Sequence, residues 1–182
     1  DLLRADIEAG QIAVNGVRLG VAAPPGGDIR SAASVSGVSA RNLRLVGTGH
    51  AAGEGGSLAA VDVSDIRLVP ATSGFAIGAV RLSGLDVATS RDARGGIGLM
   101  RLIPPTRAAG QGAAAMGYPT VGEFSLTDAK FRFVDRAVKP VATWVVTPLS
   151  VTARSADGRI GGPMRVSASG RLNGATAFSA DG

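Results

Sequence analysis

The run Val121–Pro140, VGEFSLTDAKFRFVDRAVKP, decides the fold class. It reads as a strand, a short kink, a second strand ending in an aromatic pair, and an Asp-Arg turn closed by Lys139-Pro140. Side chains two apart on a strand share a face, so Phe131 and Phe133 point one way while Lys130 and Arg132 point the other. An apolar row backed by a basic row describes a sheet with one dry and one wet face. It does not describe an active site.

Working outward, the same alternation recurs. VNGVRLG at Val14–Gly20, ARNLRLVG at Ala40–Gly47, VSDIRLV at Val63–Val69 and IGAVRLSGL at Ile77–Leu85 share an apolar-Arg-Leu core, with a looser copy in VGEFSLTDA at Val121–Ala129. Arg between two apolar residues is a strand period. The copies are unevenly spaced, so a meander of strands with variable turns describes them better than a strict solenoid. Around Gly84 the apolar residues switch from even to odd positions (Val80 and Leu82, then Leu85 and Val87), and a similar slip falls within Thr127–Lys130. A glycine bulge there would bend the strand and restore its dry face.

Farther along, Val141, Val145, Leu149 and Val151 are expected on one face, with Trp144 and Val146 on the other. Met164, Val166, Ala168 and Leu172 alternate with Arg165, Ser167, Ser169 and Arg171. Glycine-rich punctuation, such as Gly26-Gly27-Asp28 and Ser90–Gly96, separates the apolar runs. Helical periodicity is weak; its best candidate is one or two turns at 97–103, stopped by Pro104-Pro105. Thr106–Tyr118 reads as a flexible Gly/Ala loop. The expected fold is therefore mainly β: an elongated, curved antiparallel sheet or groove of many short strands, making residues 1–182 a single segment.

Composition narrows the function. Hydrophobic residues make up 45% of the chain but aromatics only 4%, so few large side chains exist to fill a thick core. Absence of cysteine excludes disulfides and thiolate metal sites. The net charge of +5 comes from arginines interleaved with apolar residues, which fits a solvated strand face better than a nucleic-acid footprint; contact with anionic lipid headgroups stays open. His50, the single histidine, sits in a glycine-rich loop with no nucleophile elbow or second histidine beside it. GEGG and GGIGLM lack the Gly-Lys-Ser/Thr ending of a phosphate loop. Asp135-Arg136 reads as a structural turn closed by Pro140, with Asp accepting backbone N–H bonds and Arg pairing nearby. No catalytic residue, metal or cofactor is expected, and the chain reads as a non-enzyme.

The run FRFVDRAVKP followed by WVVTPLSVTA resembles the AsmA-like envelope proteins of Gram-negative bacteria, in the branch carrying the domain of unknown function 748. The resemblance rests on Phe131, Phe133, Asp135, Arg136, Pro140, Leu149 and Ser150, and upstream on Ile77, Val80, Leu82, Arg91, Asp92 and Gly95. It extends from about Leu58 to Ala180. It implies a long β-groove lined by apolar side chains that shields acyl chains during phospholipid movement across the periplasm. Both ends read as cut, which implies a piece of a longer protein anchored to the inner membrane through a segment outside these residues. The residues expected on the dry side are Val80, Leu82, Phe131, Phe133, Val145, Leu149, Val166 and Ala168. Expected partners are phospholipid acyl chains and other envelope proteins or segments of the same chain, with no nucleic acid. A second reading, a structural or partner-binding periplasmic β-module without lipid cargo, fits the same residues.

Overall fold

A computed structural model describes residues 5–22, 30–47, 54–69, 74–102, 120–156 and 162–182. Thr106–Tyr118, His50 and Gly26–Asp28 lie outside the described residues. The chain is all-β: one open eight-stranded sheet in which the spatial order of strands is the chain order. The strands are β1 (Ala5–Ala22), β2 (Arg30–Gly47), β3 (Gly55–Val69), β4 (Gly74–Arg91), β5 (Thr120–Asp135), β6 (Ala142–Ser155), β7 (Met164–Leu172) and β8 (Thr176–Asp181). The expected helix at 97–103 is a single 3₁₀ turn, Gly98–Leu102.

Two features differ from the expected meander of short antiparallel strands. First, β4 and β5 run parallel, Ala76 beside Thr120 and Arg91 beside Asp135. Parallel neighbours need a long return connection, and residues 92–119 supply it. Second, four of the strands are 16 to 18 residues long. The parity breaks that look like strand ends lie inside them.

Those breaks have a single cause. Each of the first five strands holds one residue in the left-handed backbone region: Gly16 (φ 63), Asn42 (φ 54), Asp65 (φ 54), Gly84 (φ 64) and Asp128 (φ 52). Gly, Asn and Asp are the residues that adopt this conformation at least cost. A left-handed residue interrupts strict alternation, so the dry side resumes one position late. In β1 the dry positions are Ile7, Ala9, Ile12, Val14, Val17 and Leu19, with one long step at left-handed Gly16 and the other at Gly10, across from left-handed Asn42. The interruption is shared by the neighbours, so the register survives it: Ile12 faces Ala40, Ala40 faces Val61, Val61 faces Leu82 and Leu82 lies beside Leu126. The residue across from a left-handed one in the antiparallel pairs is small. Ser36 stands opposite Gly16, Gly10 opposite Asn42, Gly78 opposite Asp65 and Ala59 opposite Gly84.

The end of the sheet is built differently. Pro148 has no N–H to give to a ladder, and the register between β6 and both of its neighbours shifts between Val146 and Leu149. Asn173 and Gly174, both at positive φ, form the turn into β8, and Asn173 is bonded to the backbone of Val145 in both directions, at 2.7 and 2.8 Å.

No large side chain among the described residues is fully buried, and the buried apolar set is small: Ala40, Ala79, Leu102, Leu126 and Ala129. Gly84→Val would combine an unfavourable φ with a Cβ 2.7 Å from that of Ala59. We expect it to lower unfolding free energy by about 1–3 kcal/mol. Asn42→Gly, which keeps the same backbone accessible, should stay within about 1 kcal/mol of the parent. Urea titration followed by circular dichroism distinguishes the two.

Candidate functional site

Register and periodicity together sort the side chains onto two faces. On one face, apolar residues form rows that cross the whole sheet. One row runs Ile12, Ala40, Val61, Leu82, Leu126, Val151, Ala168, Ala180. The next runs Ala9, Leu43, Leu58, Leu85, Ala129, Leu149, Gly170, Phe178. A third joins Val14, Val38, Val63, Val80, Phe124, Ala153 and Val166. Side chains aligned in this way touch across strands and reinforce the ladder.

The opposite face is polar. Arg41 meets Asp62 at 2.8 Å, Lys130 meets Asp86 at 3.4 Å, and Glu123 lies between Arg81 and Arg154, each at 3.6 Å. The hydroxyls of Thr152 and Ser167 share a hydrogen bond of 2.7 Å. These half-exposed ion pairs are each worth about 0–1 kcal/mol and serve mainly to keep this face wet.

Seven of the eight residues expected on the dry side lie in the apolar rows: Val80, Leu82, Phe131, Phe133, Leu149, Val166 and Ala168. Val145 does not. It faces Arg132 across the β5–β6 ladder, so it lies on the wet face, while Trp144 faces Phe133 and Val146 faces Phe131. Trp144 stacks on Phe133 with ring centroids 5.8 Å apart. The shift at Pro148 reverses the parity, which is why Leu149 and Val151 return to the dry side while Val145 stays off it.

The dry residues missed by a period of two are those of β1 to β3, among them Ile7, Ile12, Leu43, Leu58 and Ile66. Their signal was present as the repeated two-then-three spacing, with a small residue, Asn or Asp at each long step. The apolar-Arg-Leu copies also separate in space. Arg18 and Arg67 lie toward one end of the strands, Arg44 toward the other, and Arg81 between them beside Asp62.

The dry face carries a hollow of about 330 Å³, at the small end of the range for ligand-holding clefts. Ile7, Leu43, Leu45, Leu58, Leu85 and Val87 form its floor, and Leu99 of the 3₁₀ turn reaches its rim. That turn is tied down from the strand. The Thr89 hydroxyl accepts from the Leu99 N–H at 3.1 Å, and the Leu102 side chain is buried. Asp92 accepts from the N–H groups of Gly96 and Arg94, each at 2.9 Å, and pairs with Arg101 at 2.7 Å. The Gly96 and then the Arg94 N–H, aided by the charge of Arg101, hold the Asp92 carboxyl below its usual range.

Asp135 is buried and accepts from the Ala137 N–H at 2.9 Å, as expected of a structural turn. Its charged partner is Arg91 of β4 (Nε to Oδ1, 3.2 Å) and not Arg136, which is exposed, as is Pro140. Among the described residues no three His, Cys, Asp or Glu side chains converge to hold a metal, and no helix is long and apolar enough to cross a membrane. Comparison with protein-family models, with curated proteins and with solved structures returns no match for the chain.

Because the pKa of Asp92 is depressed in the folded chain, its contribution to the turn is complete above the ordinary carboxylate pKa of about 3.9. It is lost as pH falls through the lowered value. Hydrogen-exchange protection of the Arg94 and Gly96 amides should therefore hold at neutral pH and fall only in acid. Asp92→Asn should weaken that protection and remove its pH dependence.

Proposed function

We propose that this chain is a non-catalytic β-groove segment of an AsmA-like envelope protein, and that its dry face shields phospholipid acyl chains moving between membranes in the periplasm. The observation that carries this reading is the uncovered apolar face. Rows of Val, Leu, Ile and Phe cross the sheet, yet Ile12 is 66% exposed and Trp144 38% exposed, with nothing among the described residues packed over them. A closed core would bury such rows. An open trough leaves them for a cargo.

The physical task fits. Each methylene kept out of water is worth about 0.8 kcal/mol, so two acyl chains are prohibitively costly to move through water uncovered. A trough lowers that cost without bond chemistry, and the order of strands along the chain makes the trough continuous from one strand to the next. The outward ion pairs would face the aqueous compartment, and the anchor to the inner membrane would lie outside these residues.

Native mass spectrometry of the purified chain, with extraction of copurified lipid, tests the reading. We expect reproducible phospholipid adducts. They should be lost in Ile12→Asp and Phe131→Asp variants that keep the parent circular dichroism spectrum, and retained in the wet-face variant Arg165→Glu. A clean apo mass from folded protein overturns the proposal in favour of a partner-binding β-module.

A further inference from the structure

The segment that follows β4 and the turn that links β5 to β6 meet at one rim of the sheet. Arg136 donates its backbone N–H to the Arg91 carbonyl at 2.9 Å, and Arg91 bridges to Ile97 just before the 3₁₀ turn. Residues 91–102 and 135–141 bring five cations here against two carboxylates. Both carboxylates are taken. Asp135 is buried against Arg91, and Asp92 is held by Arg101 and by two backbone N–H groups. Arg94, Arg136 and Lys139 are exposed and form no ion pair among the described residues. Glu54 also approaches, but it reaches Gly98 from β3, on the far side of β4 from the 136–141 turn.

The same two segments expose apolar side chains, Met100 at 61% and Val141 at 58%. Directly inside the rim lie Phe133 and Trp144, stacked on the dry face. The Trp144 indole N–H has no hydrogen-bond partner among the described residues. A ring with an apolar body and one free donor fits the level at which acyl chains give way to headgroups.

We propose that this rim holds the headgroup phosphate of a phospholipid whose acyl chains lie on the dry face, and that it selects headgroups of net negative charge. The inference rests on the lipid-trough reading and adds to it which lipid is preferred. Arginine and lysine are natural phosphate partners, and here they lack protein counterions. Phosphatidylglycerol brings an uncompensated negative charge, whereas phosphatidylethanolamine brings an ammonium that repels the same cations. The lengths agree as well. One leaflet of hydrocarbon is about 15 Å deep, half of a bilayer core of about 30 Å, or about five residues of strand. Measured inward from Asp135, that length passes Phe133 and Phe131 and ends close to Ala129, with Trp144 and Val146 of β6 alongside. A free phosphate would use the cations alone and leave the apolar part of the rim without a partner.

The test loads the folded chain from vesicles holding phosphatidylglycerol and phosphatidylethanolamine in equal amounts with identical acyl chains. The protein is re-isolated by gel filtration, and its bound lipid is extracted and quantified by headgroup. Phosphatidylglycerol should be in excess by about fivefold, the gain expected of one basic contact to an anionic headgroup. Arg136→Glu with Lys139→Glu should bring the ratio to parity or below and leave total lipid unchanged. Arg67→Glu with Arg165→Glu makes the same change of charge at the opposite end of the strands and should leave the ratio in place. Raising salt during loading should lower the excess on the parent chain, because exposed charges are screened, and this arm needs no substitution to fold. Inorganic phosphate, compared with chloride at equal ionic strength, should not abolish the excess; if it does, the rim is a free-phosphate site and the proposal fails. Equal amounts of the two lipids on the parent, or an excess that the Arg136 and Lys139 changes do not reduce, overturns the headgroup rim and leaves the trough standing. A parent chain that takes up no lipid overturns both.

Discussion

A left-handed residue in the middle of a β-strand forces a small residue on the strand beside it. In this sheet that constraint organises the rest. Gly16, Asn42, Asp65 and Gly84 each bend their strand at the same line as the neighbour, and Ser36, Gly10, Gly78 and Ala59 leave room for the bend. Because the strands bend together, the register on either side of the line is unchanged. A one-residue slip would break both the apolar rows and the steric rule, so register is specified twice over.

The consequence is a long, one-layered sheet with chemically opposite faces. Its stability comes from ladders and cross-strand rows, supplemented by weak outward ion pairs, and no second layer covers the apolar side among the described residues. Near Leu126 and Ala129, flanked by β4 and β6, the sheet approaches an ordinary interior, as it does at Ala40 and Ala79, and the buried Asp135 with its partner Arg91 lies at the end of β5 and β4. Among the described residues β1 and β8 end the sheet, and many of the apolar side chains on the dry face stay exposed.

Much of this was legible locally. Phe131 and Phe133 with Lys130 and Arg132 announce a two-faced strand, and the parity switches at Gly84 and around Asp128 are where the backbone turns left-handed. What was hidden is instructive. Val145 sits in an alternating run with Leu149 and Val151, yet Pro148 interrupts the ladder and sends Val145 to the side of Arg132 while Trp144 joins Phe133. Asp135 and Arg136 are adjacent in sequence, but adjacent residues on extended backbone point apart, and the carboxylate finds Arg91 on the parallel neighbour.

The sequence by itself determined which residues alternate, where glycine, asparagine or aspartate would tolerate a left-handed bend, and that arginines would share a face away from leucines. These are short-range properties, set by the geometry of one strand. Only the tertiary structure decided that β4 and β5 run parallel, that the bends align into lines across the sheet, and that Val146, not Val145, completes the apolar row. Those outcomes depend on hydrogen-bonded pairing between residues far apart in the chain. No local period encodes the partner.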